Sequence, residues 1–154
     1  MREVTHRVVI HAPPAAVLDA FFDADALSIW WDVSRAVCIP RPLGSYAVEW
    51  RVTDRRDDVL GPLGGTFHGT VMEFIPGREF FLADAYWLPP EGDPIGPMAL
   101  EATCTSEGES TLLRIRQSGC DERNARWMRY YDITSAGWSV ALGALKTYLE
   151  DQWG

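Results

Sequence analysis

The sequence predicts an α+β fold, a bent antiparallel sheet with its helices gathered on one face. Three observations predict it. Short period-2 segments broken by Gly and Pro fill the stretch from Arg35 to Gly119, and two short helical patterns sit between an N-terminal strand and the first strand of that stretch. One long helical pattern then closes the chain. In that last stretch Trp127, Tyr131, Trp138, Leu142, Leu145 and Leu149 recur in steps of four, seven, four, three and four, which is one face of an α-helix. A lone long helix that follows a finished sheet has to cover it. Trp and Tyr at its first end, where Leu or Ile would be usual, point to a lined cavity.

The first strand is read from Val4, His6, Val8 and Ile10, which alternate with Thr5, Arg7 and Val9. Pro13 and Pro14 suit the first turn of a helix, where a missing N–H costs nothing, and Val17, Leu18, Phe21 and Phe22 form its apolar face. A second short helix runs from Ala24 to about Trp31, with Asp23 as its cap and the dyad Trp30-Trp31 at its end.

After a short segment over 36–39, Tyr46, Val48, Trp50 and Val52 mark a strand with two large aromatics on one face. The run 53–65 carries Arg55-Arg56-Asp57-Asp58 and then Gly61-Pro62-Leu63-Gly64-Gly65, the mark of a solvated loop. Strands over 66–75 and 79–88 flank the turn Pro76-Gly77-Arg78. Neither face of the first arm is wholly apolar, so its inward side stays open, whereas Phe81, Ala83, Ala85 and Trp87 form the more consistent face of the second. The run 89–94 holds three prolines and reads as a loop. Strands over 98–105 and 111–118 make the last hairpin. There Arg114 and Arg116 point outward, placed to pair with Glu101, and Gln117 points inward.

A chain of 154 residues buries about 68–70% of its unfolded surface as one domain, and a single domain over 1–154 is expected. Composition is that of an ordinary globular protein. The formal charge of −8 argues against a nucleic-acid partner, since phosphate binding needs a basic surface and the arginines here are scattered. The first ten residues lack a signal-peptide core and no segment reads as a membrane span, so the cytoplasm is the expected compartment. Cys38, Cys104 and Cys120 are odd in number and widely spaced, which fits buried free thiols rather than a zinc or redox pair.

Several pieces now occur together in order. Ile10-His11-Ala12-Pro13-Pro14 is followed by Val17 and Phe21, then by Trp30-Trp31, by Gly69-Thr70-Val71 running to Pro76, and by Gly137-Trp138 with Leu142, Leu145 and Leu149. In this arrangement the chain resembles the SRPBCC, or START-like, superfamily, within it the branch named after the C-terminal domain of the activator of heat-shock-protein-90 ATPase. The resemblance implies a helix-grip fold, in which a curved antiparallel sheet wraps a long C-terminal helix around a deep apolar cavity. It also implies hydrophobic ligands such as lipids, sterols, polyketides or hormones. Some superfamily members are cyclases or other enzymes, so fold alone does not settle activity.

Strand and helix parity place Trp31, Tyr46, Trp50, Phe67, Trp87, Gln117, Trp127, Tyr131 and Trp138 as candidate ligand contacts. Gln117, His6 and the Tyr131 hydroxyl are the polar groups such a pocket needs. No nucleophile with its base, carboxylate pair or metal-ligand set has usable spacing. His6, His11 and His68 are scattered, His6 and His68 alone being able to meet, and Asp84 and Glu73 read as sheet-surface carboxylates. No catalytic residue, metal or cofactor is therefore expected. The expected function is binding of a hydrophobic or aromatic small molecule. A polyketide-cyclase-like or hydrolytic enzyme using the same cavity is the first alternative, and a chaperone ATPase-stimulating or other partner-binding domain the second. The chaperone role carries over poorly, because the co-chaperone sets this domain behind a separate N-terminal one and nothing precedes Val4 here that would form it.

Overall fold

A chain that opens and closes its sheet on neighbouring strands must carry its backbone across the sheet once. The computed structural model shows how this is done and describes residues 2–153; Met1 and Gly154, the ends of the span expected as one domain, lie outside the described residues. Strand β1 (Arg2–Ile10) leads into α1 (Pro14–Asp19) and α2 (Ala24–Trp30), which deliver the chain to β2 (Arg35–Cys38) and β3 (Ser45–Trp50). After the small pair β4 (Arg56–Asp57) and β5 (Gly61–Pro62), the long strands β6 (Gly65–Ile75), β7 (Glu79–Leu88), β8 (Ile95–Glu107) and β9 (Ser110–Cys120) precede α3 (Ala125–Trp153). The seven-stranded sheet runs β1-β9-β8-β7-β6-β3-β2, antiparallel throughout. The two short helices thus bridge from one sheet edge to the other, and β1 is completed only by the last strand. This is the helix-grip fold, with the sheet open at both edges.

Local chemistry fixes the bridging helices. Pro14 opens α1, and the Asp23 carboxylate accepts from the Asp25 and Ala26 N–H groups to cap α2. The Trp30 indole N–H donates to the Ala20 carbonyl at 2.9 Å and the Tyr46 hydroxyl to that of Phe21 at 2.9 Å, so the kink between the helices is tied to both neighbours. Phe21 packs between Trp30 and Phe80, and Phe22 lies edge-on to Tyr46, Phe74 and Phe80. The α3 helix starts where the Asn124 side chain accepts from the Trp127 N–H, and Leu142, Leu145 and Leu149 sit in the core as its anchoring end.

The two faces of the β6–β7 hairpin explain why its parity resists reading. In β6 Phe67 and Val71 are buried, but the register shifts between Val71 and Glu73, after which Phe74 turns inward against Phe22. In β7 the inward residues are Phe80 and Leu82 and then Ala85 and Trp87, not Phe81 and Ala83. The change of face falls at Asp84, whose φ of 50° puts it in the left-handed region at a second register shift. A single extra residue inverts every later side chain, so one alternating pattern cannot describe either strand.

The run 53–65 also departs from expectation. Its charges are not all solvated, because Asp57 has only 5% of its side chain exposed. Its carboxylate accepts from the Val59 and Leu60 N–H groups and from Arg129 of α3 at 2.7 Å. This pins β4–β5 against the helix with Leu60 buried beneath it. Arg116 does lie opposite Glu101 in the β8–β9 register, but its ion pair is with Glu3 of β1.

Candidate functional site

Between its aromatic start and its leucine anchor, α3 borders a cleft with Thr134, Gly137, Ala141 and Ala144, flanked by the larger Ile133 and Val140. Small side chains at helical spacing leave room instead of filling it. A Cβ built on Gly137 would meet nothing within 4 Å. The result is a cleft of roughly 1050 Å³ between α3, the concave sheet face and the end of α2. That volume lies at the upper end of the range of small-molecule sites.

Tryptophans wall the cleft. Trp30 and Trp31 stack with centroids 5.1 Å apart and planes 5° from parallel, Trp31 meets Trp138 at 5.0 Å, and Trp50 meets Trp31 edge-on at 5.2 Å. Trp87 stacks on Tyr130 at 5.1 Å. The indole N–H groups of Trp30, Trp50, Trp87 and Trp138 are each taken up inside the protein, by the carbonyls of Ala20, Trp31 and Gly64 and by the Gln117 side chain. Their rings therefore offer carbon surface to the cleft. Phe67, Leu100 and Gln117 complete the floor, and Leu60 and Leu63 reach over from the β4–β5 pair.

One polar chain crosses this floor. Gln117, 2% exposed, accepts from the Trp138 indole at 3.0 Å, and its amide N–H₂ faces the Met98 sulfur at 3.0 Å and the Tyr130 hydroxyl at 3.5 Å. Thr134 bonds to Tyr130 in turn. Burial pushes the Tyr130 hydroxyl above its usual range, with the bonds to Gln117 and Thr134 opposing the shift, so at neutral pH it serves as a neutral donor and acceptor and not as a base.

Of the nine side chains expected to contact a ligand, the structure brings six together in this cleft: Trp31, Trp50, Phe67, Trp87, Gln117 and Trp138. Three lie elsewhere. Tyr46 is fully buried with its hydroxyl held by the Phe21 carbonyl, inside the aromatic cluster of Phe21, Phe22 and Phe80. Trp127 and Tyr131 share a helix face that turns toward β1 and Cys120, away from the cleft, and Tyr130 occupies the cleft position instead. The helix stripe thus divides, Trp138 facing the cleft and Trp127 and Tyr131 flanking it. Burial pushes the Tyr131 hydroxyl well above its usual range.

The histidines do not meet. The His6 ring lies within 3.2 Å of the Ser135 hydroxyl on α3, outside the cleft, and His68, four strands away in the sheet, stacks on Tyr86 at 6.0 Å. His11 takes a contact from Ser110 at 3.5 Å. Glu73 pairs in register with Phe81 and not with Asp84. Among the described residues, no three His, Cys, Asp or Glu side chains converge as a metal site. Cys38 and Cys104 are half-buried and Cys120 buried, all unpaired.

The cleft residues that sequence reasoning passed over are Tyr130, the small stripe on α3, and the mouth residues Asp32, Arg51, Val52 and Arg55. The stripe had a readable signal: Thr, Gly, Ala and Ala at helical spacing beside the apolar face of Trp138, Leu142 and Leu145.

The profile of the family described as "Activator of Hsp90 ATPase homolog 1-like protein" matches residues 11–150. Among solved structures, protein MLL2253 from Mesorhizobium loti superposes with a TM-score of 0.73 at 20% identity, over 97% of this chain and 98% of that one. The Aha1 dimer from Colwellia psychrerythraea superposes with a TM-score of 0.69 at 19% identity, over 100% of both chains. CalU16 from Micromonospora echinospora gives 0.64 at 18% identity, over 98% of this chain and 78% of that one. At these identities the likeness concerns fold alone. A comparison with curated protein sequences returns no match.

Proposed function

Because the chain belongs to the activator of Hsp90 ATPase homolog 1-like family, within the SRPBCC superfamily, we propose that it binds a hydrophobic or aromatic small molecule in the cleft between α3 and the sheet. One observation carries the reading. The chain sets a stripe of Thr, Gly and Ala on α3 opposite a wall of Trp30, Trp31, Trp50 and Trp138, where a helix built only to fill a core would carry large aliphatic residues. An apolar space of this size with a short polar chain on its floor is the usual form of a ligand site. No helix of the described residues is long and apolar enough to cross a membrane, and we place the protein in the cytoplasm.

Native mass spectrometry of freshly purified protein tests the reading directly, together with titration of N-phenyl-1-naphthylamine followed by tryptophan quenching. A co-purified mass or saturable quenching is the expected outcome. Absence of both would sink it. Return of the ligand unchanged separates binding from the cyclase-like or hydrolytic alternative, and an ATPase assay with the chaperone tests the partner-binding alternative.

A further inference from the structure

Resting on that reading, we infer that the cleft is built for an aromatic acid, with the ring system inside and a carboxylate or similar anion at the mouth between Arg51 and Arg55. The chain is strongly acidic overall, with 22 Asp and Glu against 14 Lys and Arg, so its general field repels anions. The mouth reverses this. Arg51 and Arg55 both line it, and Asp32 is the only acidic side chain there among the described residues.

Arg2, Arg35, Arg56, Arg116, Arg123 and Arg129 are paired with Asp132, Glu49, Glu91, Glu3, Asp121 and Asp57; of the arginines without an ion pair among the described residues, which also include Arg7, Arg41, Arg78, Arg114 and Arg126, only Arg51 and Arg55 line this cleft. Arg51 and Arg55 are exposed and have no carboxylate within ion-pair distance among the described residues. Two unpaired guanidinium groups four residues apart border an apolar, aromatic-walled space. A guanidinium grips a carboxylate with two parallel N–H donors and also lies flat on aromatic rings, so both parts of an aromatic acid find a complement here. The floor chain of Trp138, Gln117, Tyr130 and Thr134 is neutral throughout, which leaves the mouth as the only place where a charge is compensated.

The test uses two dyes that share one ring framework and differ in charge: 1-anilinonaphthalene-8-sulfonate and the neutral N-phenyl-1-naphthylamine. In an Arg51→Gln/Arg55→Gln variant, Kd for the sulfonate should rise roughly fivefold or more, while Kd for the neutral dye stays within about twofold. Raising salt from about 20 mM to about 500 mM should weaken the sulfonate alone. A Trp50→Leu variant should weaken both dyes, placing them in the cleft. Equal changes for both dyes in the arginine variant, or none for the sulfonate, overturn the inference. So does a sulfonate effect in a protein whose dye binding ignores Trp50→Leu, because the arginines would then serve a site outside the cleft. If neither dye binds the unaltered protein, the cleft-binding reading falls as well; if only the arginine effect is missing, that reading stands and the acid is excluded.

Discussion

The Trp138 indole N–H donates to the Gln117 side-chain oxygen at 3.0 Å and so joins α3 to β9 beneath the cleft. Both residues are buried. Replacing Gln117 by Leu leaves the indole N–H without an acceptor in an apolar setting and should cost about 1–3 kcal/mol. Urea denaturation measures it. The Gln117→Leu/Trp138→Phe pair should lose less than the sum of the single losses, because the orphaned donor is then gone.

Gly137 lies mid-helix with open space where its Cβ would stand. Alanine there should stabilise the protein by about 0.5–1 kcal/mol through helix propensity. Tryptophan at the same position should leave the fold intact and exclude N-phenyl-1-naphthylamine from the cleft. Unfolding midpoints and dye titration read the two effects separately, and a folded Gly137→Trp that still bound the dye would remove α3 from the site.

Adjacent tryptophans in α2 and its end should behave differently. Trp30 is 3% exposed, with its N–H fixed to Ala20, so Trp30→Ala should cost about 3–5 kcal/mol. Trp31 is half-buried, and Trp31→Ala should cost less stability but more dye affinity. Equal ratios of the two losses in both variants would contradict this division of labour.

Asp57 sets a pH dependence for the β4–β5 pair. The hydrogen bond from Arg129, helped by the Val59 and Leu60 N–H groups and opposed by desolvation, lowers its carboxyl below the usual aspartate range. A carboxyl with a lowered folded pKa stabilises the folded state above the ordinary aspartate value, about 3.9, and loses that contribution as pH falls through the folded value. Hydrogen-exchange protection of the Val59 and Leu60 amides should fall as pH drops below about 4. Arg129→Gln should lower it at pH 7, with α3 amides unaffected.

Burial raises the Cys38 thiol to about 11 and the Cys104 thiol to about 12. Thiolate is the reactive form, so both should react slowly with Ellman's reagent at pH 8 and rapidly once the protein is unfolded in guanidinium. Fast labelling of either in the folded protein would contradict their burial.

Most of the architecture was legible because it is written in periods. The alternation of Val4, His6, Val8 and Ile10 survives as a strand, the Asp23 cap and Pro14 start hold, and Leu142, Leu145 and Leu149 anchor α3. What failed to read was local interruption of a period. The shift after Val71 and the left-handed Asp84 invert faces without any change in composition. On α3 a single helical step separates Tyr131 from Tyr130, and only the neighbouring strand decides which one faces the cleft. Asp57 looked like its solvated neighbours because its partner, Arg129, lies 72 residues away. Arg51 and Arg55 were passed over for a related reason: their lack of partners is a property of the folded surface.

The order of strands also has a meaning for how the protein is made. β1 is synthesised before the other strands, yet its only sheet neighbour among the described residues, β9, ends at Cys120, and α3 follows still later. Until β9 and α3 emerge, the first strand has an unsatisfied edge and Trp31, at the end of α2, lacks its partner Trp138. Such distant pairings slow folding and expose the growing chain to aggregation. The sheet that grips α3 is therefore locked last by its oldest segment, and a chain cut before β9 should be held by chaperones rather than fold by itself.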